Sequence, residues 1–168
     1  SDLTLAELRA VRLLPQGRIP TLEEALRAAR GRVILDLDLK TDRIDLVVAA
    51  LQAEHMVESV LVFDSNPALL RRGRALEPRL RVLPKGRNLA EVRALIAEFD
   101  PPAIHLEALE QLTPEVRAAL AAANCRAWLN ALGAKDVLGC KRFYRKLARG
   151  GAQVIQTDRP ARVLGALR

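Results

Sequence analysis

Val33-Ile34-Leu35-Asp36-Leu37-Asp38-Leu39-Lys40 is an aliphatic run interrupted at every second position near its end by a charge. In a β-strand alternate side chains share a face, so Asp36, Asp38 and Lys40 fall on one side, with Ile34, Leu35 and the other leucines packed around them. Charges on an inward strand are costly unless paired, hydrated or metal-bound. The C-terminal ends of parallel strands are where α/β proteins gather their sites. A pair of carboxylate ligands suits Mg²⁺ or Ca²⁺. A structural Asp38–Lys40 ion pair explains the same residues without any ligand.

Outward from this run the chain repeats one pattern. Short aliphatic segments predict strands at Arg32–Leu39, Ser59–Phe63, Leu80–Leu83, Ala103–Leu106, Arg126–Asn130 and Gln153–Gln156. Segments of helical period lie between them, at Asp42–His55, Pro67–Leu76, Leu89–Glu98, Pro114–Ala123 and Lys135–Arg149, and Ala161–Leu167 closes the chain. Two short helices, Leu5–Arg12 and Leu22–Ala29, precede the first strand, each opened by a Thr-x-x-Glu capping box and joined by a turn containing Pro and Gly. Gly150-Gly151 is a stop signal for the Lys135–Arg149 helix. Strands alternating with helices predict βα units with parallel strands and right-handed crossovers. Periodicity leaves an open doubly wound sheet and most of a (β/α)8 barrel as alternatives.

The 168 residues suit one domain, by the usual range of about 100–200 residues. Half are hydrophobic, enough for a core and against disorder. No apolar run approaches the ~18 residues of a membrane span, so a soluble chain is expected, cytoplasmic, periplasmic or secreted. Cys125 and Cys140 lack metal-site spacing and read as two core thiols. The net charge of +7 raises nucleic acid as a partner, but the cations are scattered, apart from Arg71-Arg72-Gly73-Arg74, and only 3% of residues are aromatic. Base-stacking surfaces need more. Steering an anionic small substrate uses the same charge.

Near the end, Arg126-Ala127-Trp128-Leu129-Asn130 reads as a strand, and its lone Trp as a core or a site residue. In Ile155-Gln156-Thr157-Asp158-Arg159-Pro160, Thr157 or Asp158 caps the last helix, whose first amides are placed to hold an anion.

Six segments, in order, resemble the glycerophosphodiester phosphodiesterase family: Leu3-Thr4-Leu5-Ala6-Glu7-Leu8, Ile19-Pro20-Thr21-Leu22-Glu23-Glu24, Asp38-Leu39-Lys40, Phe63-Asp64, Ala127-Trp128-Leu129-Asn130 and Ile155-Gln156-Thr157-Asp158-Arg159-Pro160. The resemblance implies an incomplete TIM-barrel-like (β/α)8 fold of about six βα units. It implies hydrolysis of glycerophosphodiesters to glycerol 3-phosphate and an alcohol with a divalent metal, Mg²⁺ or Ca²⁺. Asp38 then stands where the family has an acidic metal ligand, Lys40 near the phosphate, and Trp128 and Phe63 beside the substrate. Asp36 matches no fixed role and is a second candidate for the metal. Leu61-Val62 stands where the family has a serine pair.

The family also carries two proton-transfer histidines, one in a His-Arg-Gly segment, on its first two strands. Neither His55-Met56 nor His105-Leu106 matches them. His55 reads as a helix-surface residue, and His105 as a strand residue able to point into a barrel. The expectation is therefore the C-terminal three-quarters of such a barrel, truncated at its N-terminus and inactive alone. Its open strand edges would be completed by a missing N-terminal segment or a second copy. A non-catalytic binding or oligomerisation module is the alternative.

Overall fold

The structure, a computed structural model, describes residues 3–13 and 17–168. The turn around Pro15 predicted between the first two helices lies outside the described residues.

Helices α1 (Leu5–Ala10) and α2 (Leu22–Ala29) begin at Thr4 and Thr21, each closing the reciprocal capping box with Glu7 or Glu24. Six strands follow: β1 (Leu35–Asp38), β2 (Val60–Asp64), β3 (Arg81–Pro84), β4 (Ala103–Leu106), β5 (Arg126–Asn130) and β6 (Val154–Gln156). Between them run α3 (Ile44–Ala53), α4 (Pro67–Leu76), α5 (Leu89–Phe99), α6 (Pro114–Ala122), α7 (Ala134–Val137) and α8 (Lys141–Arg149), and α9 (Pro160–Leu167) closes the chain.

The six strands pair in parallel, and the Arg12–Arg18 bridge ahead of them is antiparallel. β1–β2–β3 and β4–β5–β6 form two three-stranded sheets, joined by one parallel bridge, Lys85 to His105, with the Gly86 N–H donating to the His105 carbonyl at 3.0 Å. Spatial order therefore follows chain order across all six strands. A doubly wound sheet reverses direction at a switch point, whereas monotonic order is barrel winding, and the alternative left open by periodicity is settled. β1 and β6 each have one neighbour among the described residues.

Register assigns the faces. Val60, Val62, Val82, Ile104, Leu106, Ala127 and Leu129 point outward and form the core with Leu51, Leu70, Val92, Val116, Leu120 and Leu147 of the surrounding helices. The opposite, inner face carries Asp36, Asp38, Phe63, Leu83, His105, Trp128 and Gln156. The apolar side of each strand thus buys the helical coat, and the polar side is free for a site.

Several elements differ from expectation. β1 begins at Leu35, with Val33 and Ile34 57% and 68% exposed, so Ile34 packs around nothing. The single helix predicted at Lys135–Arg149 is two, because Gly139 takes a left-handed φ of 63° between α7 and α8. Cys125 is buried, which pushes its thiol up to about 12, but Cys140 is only half-buried at the start of α8. No helix of the described residues is long and apolar enough to cross a membrane.

At the end of α4, buried Glu77 accepts bonds from the Arg79 guanidinium, the Gln52 amide and the Arg79 backbone N–H, which hold its carboxyl at about 2. A depressed carboxyl contributes stability above its unfolded value of ~4.3, and loses it as pH falls toward the folded one. Glu77→Gln should flatten that acid limb in urea titrations run between about pH 5 and about pH 2. An unchanged limb would refute the assignment.

Candidate functional site

The inner face at the C-terminal ends of the strands is a row of polar side chains. Lys40 Nζ donates to Asp38 Oδ1 at 2.6 Å, with the two side chains 78% and 49% exposed. Asp38 stands in register with Phe63, whose ring tilts against His105 at a centroid distance of 4.9 Å. Across the joining bridge, Lys85 Nζ donates to Glu107 Oε2 at 2.6 Å, and Asn130 Nδ2 donates to Glu107 Oε1 at 3.0 Å. Each ammonium carries a carboxylate beside it; the exposed Lys40–Asp38 pair can open toward an incoming anion at small cost, whereas Lys85 is 26% exposed and more firmly held.

His105 is buried deeper in the row. Its Nε2 faces Gln156 Oε1 at 3.2 Å, which makes Nε2 the donor and leaves Nδ1 as an acceptor in the neutral ring. Burial pushes the imidazole pKa down, against the opposing effects of Gln156, Glu107 and Asp38. His105 Nδ1 and Trp128 Nε1 are buried without a hydrogen-bond partner among the described residues. Trp128 stands in register with His105. Buried polar atoms are rarely left unpaired, so these two atoms on the inner face are candidate contacts for a polar ligand.

Asp36 lies one row below Asp38, in register with Leu61. Its side chain is exposed at the surface, yet partial desolvation by the surrounding protein first, and then the Asp38 charge, push its carboxyl up to about 6. Glu107 moves the other way, held low chiefly by Lys85. Asp36 and Asp38 are the carboxylates available to a divalent metal, and Lys40 already occupies one oxygen of Asp38. Among the described residues no group of three His, Cys, Asp or Glu side chains could hold a metal ion. Since Mg²⁺ and Ca²⁺ ask for six or more oxygens, these residues by themselves do not fit the metal.

Of the residues expected from sequence, Asp38, Lys40 and Phe63 share one end of the inner face, and Trp128 lies across it beside His105. His55 takes a left-handed φ of 53° after α3 and lies at the opposite end, near Gln52 and Glu77. In the turn before the last helix, where the sequence offered either plain capping or amides able to hold an anion, the protein's own Asp136 is the anion present. Its carboxylate accepts the Asp158 N–H at 2.9 Å and the Thr157 hydroxyl, while Thr157 Oγ1 accepts the Arg159 N–H. Arg159, not Thr157 or Asp158, is the cap residue of α9. Lys85, Glu107 and Gln156 were missed as site residues. The signal for the first two was the strand period carried two residues beyond Leu83 and His105.

Several solved structures share this architecture. A glycerophosphoryl diester phosphodiesterase from Parabacteroides distasonis ATCC 8503 is 24% identical, with 99% of this chain and 63% of that chain covered at a TM-score of 0.78. A second glycerophosphodiester phosphodiesterase from the same organism is 16% identical, covering 98% and 70% at 0.76. One from Agrobacterium tumefaciens str. C58 is 18% identical, covering 89% and 62% at 0.74. The chain thus spans less than two thirds of the first of these. No protein-family description matches the sequence, and no curated protein does. The fold is that of the glycerophosphodiester phosphodiesterases, TIM-barrel-like.

Proposed function

We propose that this chain forms the phosphate-handling part of a glycerophosphodiester phosphodiesterase-type barrel, holding a glycerophosphodiester at the inner rim of β1–β6. Lys40 meets the phosphate charge, and Trp128 and Phe63 border the glycerol or alcohol group. The observation that carries this reading is that Trp128 Nε1 and His105 Nδ1, buried and without a partner among the described residues, share the inner face of parallel strands whose C-terminal ends carry the Lys40–Asp38 and Lys85–Glu107 ion pairs. Hydrolysis breaks the phosphorus–oxygen bond to the alcohol and adds water, giving glycerol 3-phosphate. It needs a base for the water and an acid for the leaving oxygen, and each is worth about 10²–10⁴-fold. His105 is the one histidine at the rim, so the activity belongs to the barrel completed by a segment bearing the other proton-transfer groups. The divalent cation expected with that activity would need further ligands from the same segment.

Calorimetric titration with glycerol 3-phosphate tests the binding step. Binding should weaken as salt rises, and Lys40→Met should weaken it by about three- to tenfold, as expected for a solvent-exposed charge contact. A variant that binds as the unmodified chain does would overturn the role of Lys40. Binding without turnover, even after barrel completion, would favour the non-catalytic module.

A further inference from the structure

Helix α8 is built asymmetrically. Tyr144 and Leu147 are buried, and Lys141, Arg142, Arg145, Lys146 and Arg149 are all exposed, with no acidic residue in the helix. Beside it opens a cleft of about 850 Å³, lined by Lys135, Arg142, Arg145, Lys146, Arg149 and Phe143, among others. Little offsets this charge. Lys146 reaches Glu110 at 3.9 Å with both side chains well exposed, and Arg145 Nε donates to the Ala166 carbonyl. Lys135 sits over the Phe143 ring at 5.3 Å. Among the described residues Lys141, Arg142 and Arg149 form no salt bridge.

Just before this helix three aliphatic side chains project. Leu132 is 43% exposed, Val137 60% and Leu138 82%. Leu138 precedes Gly139, whose left-handed conformation makes the turn into α8. All three follow the C-terminal end of β5, so they stand on the rim that carries Asn130 and Trp128. Single exposed aliphatics are ordinary. Three within seven residues, next to a row of cations, are a paired signal.

We propose that this rim docks on the surface of an anionic lipid bilayer, with Leu132, Val137 and Leu138 entering the headgroup region and the cations of α8 and Lys135 facing lipid phosphates. Bilayer interfaces reward both halves of the pattern, apolar insertion and positive charge. A nucleic acid rewards only the charge: its backbone offers nothing to Leu138, and the one aromatic in the cleft is covered by Lys135. Docking here turns the open end of the barrel toward the membrane. The proposal stands independently of the phosphodiester reading.

Co-sedimentation of the 168-residue chain with phosphatidylcholine vesicles, with and without phosphatidylserine, tests it, with short duplex DNA as the competing polyanion. Binding should require phosphatidylserine and fall with rising salt. Leu138→Asp should cut vesicle partitioning about tenfold, from lost apolar burial and added repulsion. Arg142→Ala and Arg149→Ala should each cost about fivefold. All three positions are exposed, and an unchanged circular dichroism melt confirms the fold. The proposal is overturned by no binding to phosphatidylserine vesicles, by equal binding to phosphatidylcholine alone, or by vesicle binding indifferent to Leu138→Asp. Stronger binding to DNA than to vesicles overturns it as well.

Discussion

Asp136→Ala lowers the melting temperature of this protein by about 6–12 °C. Asp136 is 1% exposed and gathers three donors from two parts of the chain. The Tyr144 hydroxyl donates to Oδ1 at 2.8 Å, the Thr157 hydroxyl to the same oxygen, and the Asp158 backbone N–H to Oδ2 at 2.9 Å. Burial pushes the carboxyl pKa up, but these bonds outweigh it and the net shift is downward, so the group is ionised at neutral pH. Truncation leaves the three donors without their acceptor, and Tyr144 is fully buried. A buried unsatisfied group costs about 1–3 kcal/mol, and Thr157, being half-buried, recovers part of its loss from water, so a total of about 3 kcal/mol is expected. A domain of this size loses about 2–4 °C for each kcal/mol. Tyr144→Phe removes one donor and keeps the ring, so its loss should be about 1 kcal/mol. Scanning calorimetry decides the matter: an Asp136→Ala melt within about 2 °C of the unmodified protein would show that the network does not tie α7 to the β6–α9 turn.

That network shows where the sequence was opaque. Asp136 stands in the Lys135–Arg149 stretch of helical period, and nothing in that stretch points to a distant partner. Only the break at Gly139 and the return of the chain through β6 bring Thr157 and Asp158 to it. Strand positions were legible because one face of each strand must be aliphatic to hold its helices, and Val60, Val62, Ile104 and Leu129 announce that face directly. Strand order was legible only through the family resemblance, since neither periodicity nor composition records which strand lies beside which; the Lys85–His105 bridge confirms barrel winding. In the site, Asp38, Lys40, Phe63 and Trp128 were visible from alternation and resemblance. Lys85 and Glu107 escaped because they lie just past their apolar runs, where strand and loop look alike. Gln156 was visible only as part of a motif, because its bond to His105 spans 51 residues of chain.

The larger functional effect should come from completing the barrel. The 168-residue chain is expected to release no glycerol 3-phosphate above background from a glycerophosphodiester, with Mg²⁺ or Ca²⁺ present. Fused behind the first two βα units of a glycerophosphodiester phosphodiesterase, which bring two histidines and further acidic ligands, it should turn over at least about 10⁴-fold faster, since an acid and a base each contribute about 10²–10⁴. The inner face is the reason for this expectation. Its carboxylates are Asp36, Asp38 and Glu107, with Asp38 and Glu107 paired to lysines, and its histidine is neutral with one nitrogen committed to Gln156. On the proposed reading such a surface meets the charge of a phosphodiester, but its described residues supply neither a full metal cage nor a matched acid and base. Within the fusion, Lys40→Met should lower kcat/KM while leaving the melting temperature nearly unchanged, because an ion pair this exposed adds little to stability. The contribution of Asp38 is separable: Asp38→Asn should raise the metal concentration needed for half-maximal rate of the fusion, and an unchanged requirement would remove Asp38 from the metal ligands. A fusion that folds, binds glycerol 3-phosphate and still does not hydrolyse would end the catalytic reading and leave β1–β6 as a binding surface.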